Sequence, residues 1–349
     1  MWLVALRDLQ WRRRRFAIAL LSTTLVLAMT QLLAGMAASF HNEEQRTIKA
    51  VGADTWVVPS TASGPFSLTA VVGQDAVAQI AQSPGVREAD PLVLARSFIR
   101  GKGAAKDVNL IGYRLGGLGA PPRVQGRLPV APGELVADAR AHLHIGSVVI
   151  LGGRAMRVVG QTHGMTYYAG VPSVYVSLPD AQALAFSGKP LVTTVVTRGA
   201  PRQLPAGMTS YRNGPVIADL HRRIAEAAKS ISFVSAVLWL VAAGIIASIV
   251  YLSSLERVRD FAVFKATGAS TGRLLGGLIV QALVLAVGAA AFGVVAAHFL
   301  APYFPLAVEI PGSARALLFM LATGVAGVAC LVGVHRAVSV DPALAFEGA

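Results

Sequence analysis

One long uncharged apolar segment stands near the start of the chain, and three more stand near its end. Phe16–Ala38 has 23 residues without a charge, Ser230–Leu255 has 26, Leu274–Pro302 has 29 and Ala316–Val334 has 19. An α-helix rises about 1.5 Å per residue, so roughly 20 residues cross the hydrocarbon of a bilayer. Each segment is long enough, and the longer two can tilt or begin before the membrane does. Together they hold 97 of 349 residues, more apolar helix than the core of a soluble protein could hide. The stretch between the first and second segments is mostly polar. The expectation is an α-helical membrane protein with four transmembrane helices per subunit and a large extracytoplasmic mixed α+β domain inserted between helices 1 and 2.

Charge placement gives the expected orientation. Only 14% of residues are charged, well below the roughly 25% of soluble domains. The net charge of +13 raises the question of nucleic acid, but five basic residues fall in the first fifteen positions, beside a span. With no Cys/His finger spacing and no basic stripe interleaved with aromatics, anionic lipid and topology account for them better. Arg7, Arg12, Arg13, Arg14 and Arg15 outweigh Asp8 before the first span, and Arg257, Arg259, Lys265 and Arg273 outweigh Glu256 and Asp260 after the second. Both segments belong in the cytoplasm under the positive-inside tendency, which places both termini there and the insert outside. His221, Arg222, Arg223 and Lys229, just before the second span, work against that bias without reversing it. A signal-peptide reading of the first span is disfavoured, because a cleavable apolar region runs 7–15 residues. The single Cys330 excludes an intrachain disulfide.

The expected organisation is then a cytoplasmic segment 1–15, span 16–38, external domain with stalk helices 39–229, span 230–255, cytoplasmic segment 256–273, span 274–302, external loop 303–315, span 316–334 and cytoplasmic end 335–349. Within the insert, Thr55–Val58, Pro91–Ala95, Val174–Leu178 and Val192–Thr197 read as strands. Ser147–Leu151 and Met156–Gly160 flank Gly152-Gly153-Arg154, a hairpin signal. Asp75–Ser83 reads as a helix capped by Asp75, Leu135–His144 as a second, and Asp180 as the cap of a third. Gly116–Pro132 reads as a long surface loop.

No enzymatic constellation emerges. His142 and His144 stand two apart on the expected helix, so their side chains point about 200° apart and cannot share a metal. Neither they nor His163 belong to a His-Glu-x-x-His pattern, and there is no Gly-x-Ser-x-Gly elbow. His41, beside the end of the first span, reads as an interface residue. Lys102 and Lys189 lack the Gly-x-x-x-x-Gly-Lys-Ser/Thr loop that cradles phosphate, so ATP hydrolysis is not assigned to this chain.

Two segments suggest mechanics instead. Ile217, Leu220 and Ile224 lie on one helical face of Pro215–Ser230, with Asp219 and the charged residues elsewhere, and no Gly or Pro interrupts the run into the second span. Residues 39–50 extend the first span in the same way. Two such extensions would form a stalk; the plainer reading is an amphipathic helix at the lipid interface. The other segment, Ser253–Ser270, carries charges in its first half and Val258, Phe261, Ala262 and Phe264 as an apolar side. It reads as a short amphipathic helix with a turn at Gly268, or as an ordinary charged loop.

Glu256-Arg257-Val258-Arg259-Asp260-Phe261-Ala262-Val263-Phe264-Lys265-Ala266-Thr267-Gly268-Ala269-Ser270 resembles the cytoplasmic segment of the MacB/FtsX-like ABC transporter permeases, with Asp260 at the customary Glu position. Arg336–Phe346 resembles that family's terminal Ala-x-x-x-Asp-Pro-x-x-Ala-Leu signature through Asp341 and Pro342, with Phe346 where Leu is common. Gly52-Ala53-Asp54-Thr55-Trp56-Val57-Val58 and Ser83-Pro84-Gly85-Val86 are most similar to the DevC-type exporter permeases. The resemblance implies a homodimeric permease seated on a cytoplasmic ABC ATPase dimer, which supplies the ATP and Mg chemistry; no cofactor is bound directly by this chain. Glu256, Arg257, Arg259, Asp260, Phe261, Phe264, Lys265 and Gly268 would form the segment that couples to the ATPase. Further expected partners are a second copy of the chain, membrane lipids, and an extracytoplasmic adaptor, lipoprotein or envelope protein. Small residues Gly276, Gly277, Gly288, Gly293, Gly324 and Gly327 would allow close helix packing, including a dimer seam. Export or extraction of an amphiphile, lipid, lipoprotein or peptide is the leading functional expectation. The alternative is a mechanotransmission or signalling subunit that regulates an envelope enzyme or sensor without transport.

Overall fold

The computed structural model describes residues 13–67, 70–101, 103–222, 224–255, 271–304, 308 and 310–338. The chain forms two compact units, one from the segment ending at Ser39 together with the segment starting at Ala228, the other Phe40–Ala227. Helix α1 (Arg13–Ala50) is continuous, and its last turns belong to the second unit.

The Phe40–Ala227 unit is built on one large sheet. Its strands are β1 (Thr55–Pro59), β2 (Val72–Gly73), β3 (Val86–Arg100), β4 (Lys106–Tyr113), β5 (Gln125–Gly126), β6 (Glu134–Asp138), β7 (Val148–Leu151), β8 (Arg154–Thr162), β9 (Thr166–Tyr167), β10 (Val171–Ser177), β11 (Leu191–Val192), β12 (Thr194–Gly199) and β13 (Met208–Arg212). Helices α2 (Ala76–Ala81), α3 (Leu178–Ala185) and α4 (Asn213–Arg222) pack around them. The main path runs β13-β1-β12-β3-β4-β10-β6-β8-β5, while β2 and β11 make a separate pair. β7 bridges β8 and the end of β3, so β3, β4, β10, β6, β8 and β7 close into a ring. Closure removes the free edges of those six strands, leaving β13 and β5 as the ends of the path.

Period-two alternation decides which face each side chain takes. Val57, Val93, Leu110, Leu135, Val174 and Val195 point into one core with α2 and α3. Their neighbours Trp56, Leu92, Ile111, Val136, Tyr175 and Val196 point into the other, with Ile48 and Val51 at the end of α1 and Val216 and Leu220 of α4. Fully burying one such apolar side chain stabilises by about 1.5–3 kcal/mol, so both faces need a cover. The end of α1 is part of that cover.

Several sequence expectations change. Leu135–His144 is no helix: β6 occupies 134–138 and a 3-10 turn 139–141, with His142 at φ 56°. β6 lies between an antiparallel β10 and a parallel β8, so Leu135, Val136 and Ala137 are all buried and show no strand-like alternation of polarity. α2 is shorter than 75–83, and the Asp75 side chain makes no cap bond. The cap of α3 is Ser177, whose hydroxyl accepts from the Asp180 amide and donates to the Asp180 carboxylate. Asp180 instead also accepts from Gly133 N at 2.9 Å. Val192–Thr197 divides between β11 and β12, and Gly116–Pro132 contains β5. The 152–154 hairpin is present, with Gly152 and Gly153 both at positive φ, 53° and 88°, as a two-residue turn matching strand twist requires. The run into the second span is interrupted: α4 ends at Arg222, Ile224 lies in a turn, and α5 (Ala225–Leu255) begins anew.

The other unit contains the start of α1 with α5, α6 (Thr271–Leu300) and α7 (Gly312–Val338). Leu27, Ile246, Leu285, Ala289, Leu318 and Ala322 pack between these helices, while Ile18, Phe233, Leu240, Phe292 and Met320 face outward. Large apolar side chains on the outside and satisfied helical backbone inside suit hydrocarbon as solvent. Among the described residues, three helices are long and apolar enough to cross a membrane: Phe16–Ala50, Ala225–Ser248 and Ala282–Tyr303; Gly312–Val328 is a shorter apolar helix. Gly288 and Gly293 lie against α1 of the same chain, where an added Cβ would meet Leu20 at 3.5 Å and Ala28 N at 3.3 Å.

In the sheet unit, the loop before β6 is clamped by Glu134. It takes Arg127 Nη1 at 2.7 Å and Val130 N at 3.0 Å, with a second Arg127 contact at Nη2. The Arg127 hydrogen bond leads in lowering the Glu134 pKa from 4.5 to about 2. Because the folded value is depressed, the clamp contributes fully above about pH 4.5 and is lost as pH falls through about 2. Carboxyl NMR titration is expected to place the Glu134 midpoint near 2 and Arg127→Ala to return it toward 4.5; an unmoved midpoint would exclude the clamp.

Candidate functional site

The stalk residues named from sequence sit where α4 meets the sheet. Leu220 is in the core at 1% exposure, Ile217 packs partly against it, and Ile224 occupies the turn before α5. Asp219, assigned to the polar side of this helix, is instead buried at 2%. Its carboxylate accepts from Ser63 Oγ at 3.3 Å, Phe66 N at 3.0 Å and Arg222 Nη2 at 3.1 Å. Gly64 lies so close that any Cβ there would strike the Asp219 side chain. The start of α4 is pinned as well: Asn213 accepts from Trp56 Nε1 at 2.9 Å and donates to Ala53 O at 3.0 Å.

The last turns of α1 are held by a second polar set. Glu43 and Glu44, little more than one helical turn beyond the apolar run, are each 2% exposed. Glu43 meets Arg140 Nη1 at 3.5 Å and accepts from Gly170 N at 3.0 Å. Glu44 lies 3.1 Å from His221 Nδ1, at the C-terminal end of α4, where a helix favours positive charge. Arg46 reaches Gly164 O at 3.4 Å, and Thr47 Oγ1 donates to Thr166 O at 3.2 Å. A buried carboxylate is costly unless paired and hydrogen-bonded, so these contacts set the register of α1 against the sheet. Nothing in the sequence singled out Glu43 and Glu44 beyond a helical extension. The available signal was two adjacent carboxylates shortly after a span.

Gly170 belongs to an unusual turn. Tyr168, Ala169 and Gly170, between β9 and β10, have φ of 53°, 63° and 87°. Left-handed backbone costs a non-glycine residue roughly 1–2 kcal/mol, so something must hold the turn. Asn109 Nδ2 does so from below, donating to Tyr167 O at 3.2 Å and Val171 O at 2.8 Å, while Glu43 takes the Gly170 amide.

The coupling residues Glu256, Arg257, Arg259, Asp260, Phe261, Phe264, Lys265 and Gly268 lie outside the described residues, as do Asp341 and Pro342. His142 is the left-handed residue that closes the 3-10 turn and His144 lies beyond it, so the two share no helix, and among the described residues no group of three or more His, Cys, Asp or Glu is placed to hold a metal ion.

The model of the FtsX-like permease C-terminal domain matches residues 232–342. An uncharacterised ABC transporter permease of Mycobacterium tuberculosis (strain ATCC 25618 / H37Rv) is 40% identical over 348 residues, covering 100% of both chains. The chain belongs to the FtsX-like ABC transporter permeases. A relative in Mycobacterium bovis (strain ATCC BAA-935 / AF2122/97), also described as an uncharacterised ABC transporter permease, matches at the same 40% over the same length. Among solved structures, the periplasmic region of MacB from Actinobacillus actinomycetemcomitans matches at 12% identity and TM-score 0.37, covering 50% of this chain and 95% of that one. The extracellular domain of the noncanonic ABC-type transporter YknZ from Gram-positive bacteria matches at 16% and 0.33, covering 43% and 84%. The permease is a membrane protein, and its class implies a partner ATPase.

Glu43→Gln and Glu44→Gln should each lower the stability of the Phe40–Ala227 unit by about 1–3 kcal/mol, the cost of a buried polar group losing its partners. Thermal unfolding followed by fluorescence in a background where Trp56 is the sole tryptophan would measure this, and an unchanged midpoint in both variants would show that the carboxylates do not hold α1.

Proposed function

We propose that this permease couples ATP binding and hydrolysis by a separate cytoplasmic ABC ATPase dimer to movement of its extracytoplasmic domain, for export or extraction of an amphiphile, lipid, lipoprotein or peptide. The observation that carries this reading is the fastening of α1: one unbroken helix ends in two buried carboxylates tied to three separate elements of the sheet unit. A helix so held passes displacement along its axis to the sheet rather than dissipating it in a hinge. The turn at Ile224 makes the second connection a jointed one, with α4 fixed to the sheet and α5 starting separately.

In this proposal the chain makes four passes through the cytoplasmic membrane of a bacterium, with both termini inside. Two copies pair through α7, where among the described residues nothing packs against Gly324 and Gly327, and Met320 and Val328 beside them are exposed. Residues 256–268 dock on the ATPase, with Phe261 and Phe264 filling apolar grooves and Glu256, Arg257, Arg259, Asp260 and Lys265 steering. ATP and Mg are bound by that partner and not by this chain. An adaptor, lipoprotein or other envelope protein would engage the external domain.

The test is co-purification from native membranes followed by ATPase assay. Phe261→Ala with Phe264→Ala should lower the amount of bound ATPase and its permease-stimulated turnover by about tenfold or more, the loss of two buried aromatic anchors. Wild-type binding and turnover in the double variant would overturn the docking assignment. ATP-driven shape change without substrate release from proteoliposomes would replace export with mechanical signalling.

A further inference from the structure

A cavity of about 670 Å³ opens in the sheet unit between the loop carrying Phe66, the middle of β3, the end of α3 and the β9–β10 turn. Phe66, Tyr167, Tyr168, Phe186 and Ile224 form its apolar walls, and Arg96 is the one charged residue among its described lining. The aromatic rings are organised: Tyr167 and Tyr168 lie 4.9 Å apart between centroids, and Phe66 meets both edge-on at 5.7 and 6.4 Å. The Arg96 guanidinium sits 5.6 Å from the Tyr168 ring centroid. Its carboxylate partner, Asp107, lies outside the cavity, 3.4 Å away, and both side chains are exposed. An exposed pair of that kind is weak and open to exchange.

We infer that this cavity binds a single-chain amphiphile with an anionic head, its apolar chain against the aromatic walls and its head on Arg96 in place of Asp107. The size lies within the range of small-molecule sites, and the lining has their character of apolar walls with few polar groups. The sign of the head group follows from a lone cation with no carboxylate in the described lining. The position gives the site a readout. Tyr168 begins the left-handed turn whose Gly170 amide is bound by Glu43 of α1, and Ile224 immediately precedes α5. A ligand in the cavity therefore touches Tyr168, two residues before the amide that holds Glu43 of α1, and Ile224, which immediately precedes α5.

This inference names the cargo class within the proposed export reading, but the binding event itself needs neither nucleotide nor ATPase. The test is photolabelling of the full chain in phosphatidylcholine nanodiscs, without nucleotide, using diazirine-bearing dodecanoate and the matching uncharged dodecanol, with sites mapped by peptide mass spectrometry. Dodecanoate should label 65–67, 70–71 and 184–186 about fivefold more than dodecanol does, the preference expected of one solvent-accessible charge pair. Arg96→Gln should abolish that preference, and Asp107→Asn, which releases the guanidinium, should increase it. Both positions are exposed, so neither substitution threatens the fold. Equal labelling by acid and alcohol, labelling confined to the apolar spans, or a preference that survives Arg96→Gln would overturn the inference. Any of these results would leave ATPase coupling standing, and loss of ATPase docking would leave the labelling intact.

Discussion

Two carboxylates set the terms for the rest of the sheet unit. Glu43 and Glu44 are adjacent on α1, so they project about 100° apart and cannot share one partner. Burying both requires hydrogen-bond partners from different directions. Arg140 comes from the 3-10 turn after β6, Gly170 from the β9–β10 turn and His221 from the end of α4. These segments are far apart in sequence and are brought together only by the closed ring of strands and by β10 lying beside both β4 and β6. The sheet thus supplies the partners, and α1 in turn covers the core formed by Trp56, Leu92 and Tyr175.

The same core explains other polar groups that look misplaced. Asp90, at 0% exposure, pairs with Arg114 Nε at 2.5 Å and accepts from Leu118 N at 2.8 Å. Gly117 beside it leaves no room for a Cβ against that carboxylate. The Gly-rich stretch after β4 is therefore a close crossing over the sheet, fixed by one buried acid. Burial also raises the pKa of the Tyr113 hydroxyl, to about 12, so it stays neutral in this core at any physiological pH.

Legibility in the sequence followed the strength of local signals. The hairpin at Gly152-Gly153 and the strand Thr55–Val58 were readable because turn chemistry and β-branched residues coincide there. β6 was misread because a strand buried on both faces shows a continuous apolar run, which periodicity cannot tell from helix. β3 was read only over 91–95, since Arg87, Glu88 and Arg96 interrupt the apolar pattern of a strand extending from Val86 to Arg100. Three of the four expected apolar spans were visible from length alone, the last being a shorter apolar helix among the described residues, and the family was visible from the residues after the second span. The polar fastening was not visible, because each contact joins residues more than 90 positions apart, as Glu43 to Arg140 and Glu44 to His221.

The contrast between the two connections bears most on mechanism. At the first, α1 has no break between Arg13 and Ala50, and its final turns are bonded on several sides. At the second, a turn at Ile224 separates α4 from α5, and the buried Asp219 holds α4 to the loop before Phe66. A domain joined by two unbroken helices could move only as a rigid extension of both. In the proposed coupling, α1 would carry displacement to the sheet and the turn at Ile224 would absorb a change in angle. Ile224, at the joint, and Tyr168, in the turn bound to the fixed helix, both line the aromatic cavity. A change of angle at Ile224 in the proposed coupling would alter that cavity's lining, and a ligand that favours one lining would bias the angle in return.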